Sequence, residues 1–396
     1  MAFAYFARID AAVGTQDTAA LCDLLAINAP SSVRLVTSLS GGLDDNTIHT
    51  TAARVFQDKA WANASIVALT AAYETHVTHD LLAAYKAQHE FTTLLSRIAE
   101  KNDRWIVDVL ARAATDLRAA AMRTKDSTKL EEAARTINRA LTVCLNDRST
   151  VVARSRKWGV YFFVGLLFKI YFSLGTISLA TSVVRVLTSS ASVGDLPRLN
   201  DFPKAHVVVV RYYLGILAFM DQDYDKAVEE LQMAANICHK NARINQELIL
   251  LYLIPAKLVL HHKFPQSGVW LAYPKLRLFY EDLFRAAKRG DLRTFDACLA
   301  GRERVFVVRR IYLTMLRVRS QIVRPRLFEQ VYRALGKSTR IPTSAFLDAL
   351  RFVGVDVDEE QVECWAAVMI YQGRMKGYIS RERHTVVLSN TNPFPN

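Results

Sequence analysis

Residues 340–389 read RIPTSAFLDALRFVGVDVDEEQVECWAAVMIYQGRMKGYISRERHTVVLS, and the punctuation of that stretch identifies the fold at the C-terminal end. Arg340-Ile341-Pro342-Thr343 is a short extended link, and Thr343 or Ser344 is placed to cap a helix over 345–352. Val353-Gly354-Val355-Asp356-Val357 is a turn. Asp358 then caps a helix over 359–372, with Glu359, Glu360 and Glu363 near its positive end. Two strand-like runs follow, 375–380 and 385–389, separated by Arg381-Glu382-Arg383-His384. Upstream, 305–320 has helical spacing, and Pro325 opens a second helix with Leu327, Phe328, Val331 and Leu335 turned inward. Helices followed by a hairpin in this order make a winged helix.

Further upstream the chain reads as helical hairpins. Leu214-Gly215-x-x-Ala218, Ala227-x-x-x-Leu231 and Ala234 follow the small and large positions of a tetratricopeptide-like pair, with its turn at 221–224. Leu167 and Ala180 repeat the thirteen-residue spacing of Leu214 and Ala227, with Gly175 at the turn and Val184 in the place of Leu231. A third hairpin runs from Leu278 through Ala286-Ala287 and Arg289-Gly290-Asp291 to Phe295 and Leu299. The first 150 residues are Ala-rich and helical in spacing, with loops at 39–45 and 124–128. The fold class is all-α, a tetratricopeptide-like helical-repeat solenoid ending in a winged-helix domain with a small β-hairpin. Its expected parts are an N-terminal helical region (1–150), the repeats (151–301) and the winged-helix half (302–396).

Composition agrees. At 396 residues and 51% apolar the chain is long and greasy enough for a large core, and 15 Gly with 10 Pro are too few for a collagenous, low-complexity or all-β chain. Five cysteines, tens of residues apart, form no C-x-x-C pair, so a disulfide scaffold or zinc ribbon is not expected and a reducing compartment is. No basic segment precedes an apolar one at the N-terminus, so no secretory signal is read. The runs 158–174, 207–220 and 248–260 raise a rival reading, a helical membrane protein. Lys169, Arg211 and Pro255 with Lys257 interrupt them, which favours helices buried within a protein. The stripe Trp158, Tyr161, Phe162, Phe168, Tyr171 and Phe172 reads as interhelical packing for the same reason.

A search for chemistry returns little beyond charge. There is no P-loop, no G-x-S-x-G and no dinucleotide fingerprint. His76 with His79 and the pair His261-His262 lack the context of a metal site, and Asp356-x-Asp358-x-Glu360 lacks the glycine and the distal glutamate of a calcium loop. Catalytic residues, metals and cofactors are therefore not expected, and the chain is read as no enzyme. Charge is more informative. Between 302 and 351, eleven Arg and one Lys face only Glu303, Glu329 and Asp348, which concentrates +9 of the formal +13 in fifty residues. Guanidinium forks suit phosphate oxygens, and counterion release rewards each contact. Arg309, Arg310, Arg317, Arg319, Arg324, Arg326 and Arg340, with Lys376 at the start of the wing, are the candidate contacts for RNA or double-stranded DNA. The acids that open the 359–372 helix would repel phosphate, so binding is expected to follow the backbone and not the base sequence. A second cluster, Arg148, Arg154, Arg156 and Lys157, faces either an acidic partner or solvent.

Helical repeats running straight into a winged helix resemble the PCI-domain family. Ser155-Arg156-Lys157-Trp158-Gly159, Leu167-Phe168-Lys169-Ile170-Tyr171-Phe172, the run from Asn245 to Pro255, Arg309-Arg310-Ile311-Tyr312-Leu313, Met375-Lys376-Gly377-Tyr378-Ile379-Ser380 and Asn392-Pro393-Phe394-Pro395 are similar to its subunit-twelve-like branch. That branch includes the PCI subunit of the TREX-2 messenger-RNA export complex and COP-nine signalosome-associated relatives. The resemblance implies a non-enzymatic nuclear scaffold, pore-associated or partly cytoplasmic. It implies pairing with a second PCI-domain protein through the winged helix, and a small acidic, disordered proteasome-lid-type subunit that clasps the pair. The edge strand Lys376, Gly377, Tyr378, Ile379 and Ser380 is the expected partner interface. Signalosome-associated or splicing-linked assembly is the alternative to mRNA export.

Overall fold

A computed structural model describes residues 2–38, 45–149, 151–192, 194 and 196–395. The chain divides into two compact units, Met1–Tyr213 and Leu214–Asn396, a boundary that falls inside the helix Lys204–Met220.

The first unit is a succession of helices, and aspartates start many of them. Asp17, Asp58, Asp80 and Asp126 are each an N-cap whose carboxylate accepts a backbone N–H of the following turn. Alanine on the inner faces lets the helices Lys59–Tyr73, Leu81–Glu100, Ile106–Thr124 and Ser127–Leu145 approach closely, with Ala64, Ala71, Ala72, Ala114, Ala133 and Ala140 fully buried. The loop at 124–128 is present, with Lys125 in the left-handed region beside the Asp126 cap. The loop expected at 39–45 falls on residues outside the described ones, apart from Asp45, which begins the next helix.

The Ser155–Gly159 word is structural. Arg156 is nearly buried and pairs with Asp147 at 3.1 Å while donating to the carbonyls of Ala99 and Asn102. Asp147 also accepts from Ser155 Oγ at 2.8 Å and from the Arg156 N–H at 2.9 Å. A Cβ on Gly159 would stand 2.6 Å from Val107. Of the second basic cluster, Arg156 thus turns into the core and is no surface contact.

The helix Val160–Leu174 buries Phe163, Val164, Leu167, Phe168 and Ile170 completely and leaves Lys169 outside. It ends on Gly175 in the left-handed region, and Ile177–Ser192 follows. Ala180 is buried as the repeat requires, but Val184 is only half-buried; Val183 and Leu187 take the inward places, so the match to Leu231 is off by a residue. Among the described residues three segments, Thr18–Ser38, Arg156–Leu174 and Arg243–His261, are long and apolar enough to cross a membrane, and half or more of each is buried inside the protein.

In the second unit Gly215 lies against the helix Tyr224–Ile237, where an added Cβ would come within 2.5 Å of Leu231. Ala227, Leu231 and Ala234 are fully buried opposite it. The hairpin Pro274–Arg289 and Leu292–Gly301 turns on Gly290 (φ +70°) and the Asp291 cap. Phe295 and Leu299 point in, whereas Leu278, where the hairpin was read to begin, is 75% exposed.

The helix expected over 305–320 is broken into Glu303–Val308 and Tyr312–Val318. The break is a Schellman closure: Arg310 sits at φ +59°, its N–H bonds Val307 O at 2.9 Å, and the Ile311 N–H bonds Phe306 O at 2.8 Å. Phe306 and Ile311, both fully buried, are the apolar pair that accompanies such a stop. A π-turn Arg319–Val323 then leads into Arg324–Ala334, where Leu327 and Phe328 are buried, Val331 is half-buried and Leu335 is exposed.

The winged helix closes with the helices Thr343–Phe352 and Glu359–Tyr371 and a sheet of β1 (Arg340–Pro342), β2 (Gly377–Ser380) and β3 (Thr385–Leu388). The order is β1-β3-β2, all antiparallel, with Ile341 and Ile379 both opposite Val386. The extended link is therefore a third strand. Thr343 does not cap: it is buried, its N–H donates to His384 O at 2.8 Å, and its hydroxyl, with one hydrogen to give, stands between His384 O at 3.0 Å and the Glu359 carboxylate. Ser344 is no cap either, since the N-cap position belongs to Pro342. Asp358 does cap, accepting from the Gln361 N–H at 2.7 Å.

Candidate nucleic-acid and partner interface

The eight cationic candidates separate into two groups. Arg309 and Arg310 are exposed at the Schellman break, Arg340 is exposed on β1, and Lys376 is exposed where the chain enters β2. Arg304, Lys337, Arg351, Arg381 and Arg383 are exposed too and were not singled out, although the last two flank Glu382 in the turn between β2 and β3.

Arg317, Arg319, Arg324 and Arg326 are half-buried and partnered. Arg319 meets Asp296 through two bonds of 2.7 Å, which raise its pKa. Arg324 stacks on Trp365 at 3.6 Å, and burial, then the charge of Arg319, pushes it down to about 10. Arg317 donates to Gln222 at 3.1 Å and lies over Tyr224. Arg326 donates to Lys288 O at 2.8 Å and lies over Phe264. These four hold elements together first, and Arg319 is neutralised where it stands.

Sequence reasoning missed Arg374 and His262. Arg374 donates to His262 Nε2, and burial together with the charges of Arg374 and Arg326 holds His262 at a pKa of about 4. The signal was in view, since Arg374 stands two residues before the candidate contact Lys376.

The helix Glu359–Tyr371 occupies the recognition position and opens on acids. Asp358 is a cap, and Glu363 and Glu359 stand 3.2 and 3.7 Å from His384 of the wing. Glu360, Gln361, Cys364, Ala367, Val368 and Tyr371 are its exposed residues, and none is cationic. In the sheet, β2 pairs with β3 on one side and forms an edge on the other, with Tyr378 63% exposed. Such an edge offers backbone donors and acceptors to another chain, but not at Lys376, whose N–H donates to Pro393 O and whose carbonyl accepts from the Ser389 N–H, each at 2.8 Å.

No group of three His, Cys, Asp or Glu able to hold a metal occurs among the described residues. His76 bonds Ile27 O and Asn28, and His79 bonds Thr75 O, so both serve local structure.

Residues 304–390 match the PCI domain. Over its whole length the chain is similar to proteins named CSN12 homolog. It is 35% identical to that of Yarrowia lipolytica, over 99% of this chain and 98% of the relative. To that of Schizosaccharomyces pombe it is 36% identical, over 99% and 96%. It is 32% identical to PCI domain-containing protein 2 of Danio rerio, over 80% of each. The likeness thus includes the first 150 residues, for which the sequence words carried nothing.

Proposed function

The chain belongs to the PCI-domain family, in the branch of the CSN12 homologues and PCI domain-containing protein 2, whose domain is generally that of non-catalytic scaffold subunits, and from that premise we propose that it is a nuclear assembly subunit acting in transcription-coupled mRNA export of the TREX-2 kind. Its winged helix joins a second PCI-domain protein along the edge of β2, and a small acidic disordered subunit clasps the pair. The cations exposed around it contact RNA or double-stranded DNA through the phosphate backbone. The observation that carries the nucleic-acid part is the contrast within the winged helix. Arg309, Arg310, Arg340 and Lys376 are exposed, whereas the recognition-position helix is capped by acids and presents Val368 and Tyr371. This arrangement suits backbone contact and opposes base reading.

The test is capture of the tagged chain from its own cells, with and without nuclease. A larger PCI protein, a small acidic subunit and nuclease-sensitive export factors are expected. Tyr378→Glu, which alters an exposed side chain of β2, should abolish recovery of the PCI partner; full recovery would sink the edge-pairing part. The name CSN12 carried by fungal relatives favours signalosome-associated assembly as a second reading. Signalosome or splicing factors in the captured set, in place of export factors, would select it.

A further inference from the structure

Arg374 stands between two hollows of the second unit. The smaller, about 40 Å³, is walled by His262, Gln321, Arg326, Glu329 and Phe394. The larger, about 580 Å³, also has Gln321 and Arg374 in its wall and continues along Gln222, Asp223, Asp225 and Gln372. A guanidinium carries five N–H donors. Arg374 directs one at His262 and Arg326 one at Lys288 O, which leaves both forks short of acceptors. Glu329, the carboxylate in the wall of the smaller hollow, is engaged by Arg333 at 2.6 Å, and its charge also acts on Arg326. Burial first, and then the charges of Arg374 and Arg326, lower the His262 pKa to about 4.

We propose that the smaller hollow seats one phosphate group of a nucleotide between Arg374 and Arg326, with the nucleoside in the adjoining cleft. An anion there completes two guanidinium forks with charge-assisted bonds. Asp223 and Asp225 line only the larger hollow, where they offset the charge of Arg317, which donates to Gln222, and, with Gln321 and Gln372, offer acceptors and amide groups to a base edge. The proposal rests on the nucleic-acid reading for the choice of a nucleotide over other phosphates, and it names the point at which a strand is gripped.

Thermal melting of the full chain, at matched ionic strength, tests this with adenosine monophosphate, inorganic phosphate, adenosine and phosphoserine. The monophosphate and inorganic phosphate are expected to raise the midpoint saturably, the monophosphate at lower concentration, and adenosine to leave it unmoved. Arg374→Gln should weaken the monophosphate response roughly tenfold or more. Gln321→Glu, which keeps every arginine and His262 in place, should do the same by repulsion. No saturable response, or an undiminished one in both variants, overturns the pocket; phosphoserine acting at lower concentration than the monophosphate overturns the nucleotide. Binding of a long single-stranded RNA is followed in the same samples. RNA binding without a phosphate response overturns the pocket and leaves the nucleic-acid reading standing. A phosphate response without RNA binding supports the pocket and overturns that reading.

Discussion

Asp147 and Arg156 illustrate how much a single pair of side chains holds. Arg156 reaches three backbone or side-chain acceptors from a position 12% exposed, and Asp147 answers with bonds to Arg156 and Ser155. Removing the carboxylate leaves a nearly buried guanidinium unpaired, so Asp147→Ala should destabilise the chain by about 3 kcal/mol in denaturant unfolding. His262 makes a second residue-scale prediction. Its pKa falls from 6.5 to about 4 on folding, so between those values the unfolded chain binds more protons than the folded one. Its contribution to stability is whole above pH 6.5 and is lost as pH falls toward 4. His262→Asn keeps an acceptor for Arg374 and tolerates the left-handed backbone of this C-cap (φ +54°). The variant should therefore flatten the pH dependence of the melting midpoint across that window; an unchanged slope would remove His262 from the account.

At the scale of elements, the turns are set by conformations that few residues adopt. Gly290 combines φ +70° with a close approach, since a Cβ would lie 2.8 Å from the backbone of Arg326 and Leu327. Gly290→Ala meets both obstacles and should lower stability by about 2 kcal/mol or more, read from the unfolding midpoint. Arg310 shows the opposite case, a non-glycine residue held left-handed by two hydrogen bonds and the buried pair Phe306 and Ile311. Replacing it with glycine relieves that backbone and should leave the fold intact or slightly more stable, while removing one exposed cation. The same break explains why helical periodicity over 305–320 was misleading. The apolar spacing persists across residues 309–311, and the stop is made by packing of Ile311, which no cap residue announces.

For the whole molecule, the question is what the net +13 does. Arg319 is spent on Asp296, and Arg324 is stacked and desolvated, so the count of phosphate contacts is smaller than the count of arginines. Replacing Arg309, Arg310, Arg340 and Lys376 together by glutamine should reduce the salt slope of RNA or DNA binding by about three, because each phosphate contact contributes about 0.7–0.9. The same change at exposed positions should move stability little, so melting serves as the control.

Much was legible without coordinates. The helical hairpins, the glycines at their turns, the Asp358 cap and the winged-helix order all follow from local rules: a cap residue, a small residue at a close crossing, and a period of 3.6 against 2. Those rules depend on a residue and its near neighbours, and the chain states them directly. Which arginines are available was not legible, nor was the outward turn of Leu335 or the use of Thr343 and Arg340 in strand and wing contacts. Whether a guanidinium meets Asp296, Trp365 or water depends on partners tens of residues away, brought together only when the helices pack. Charge is a property of the sequence, whereas its exposure is a property of the packing.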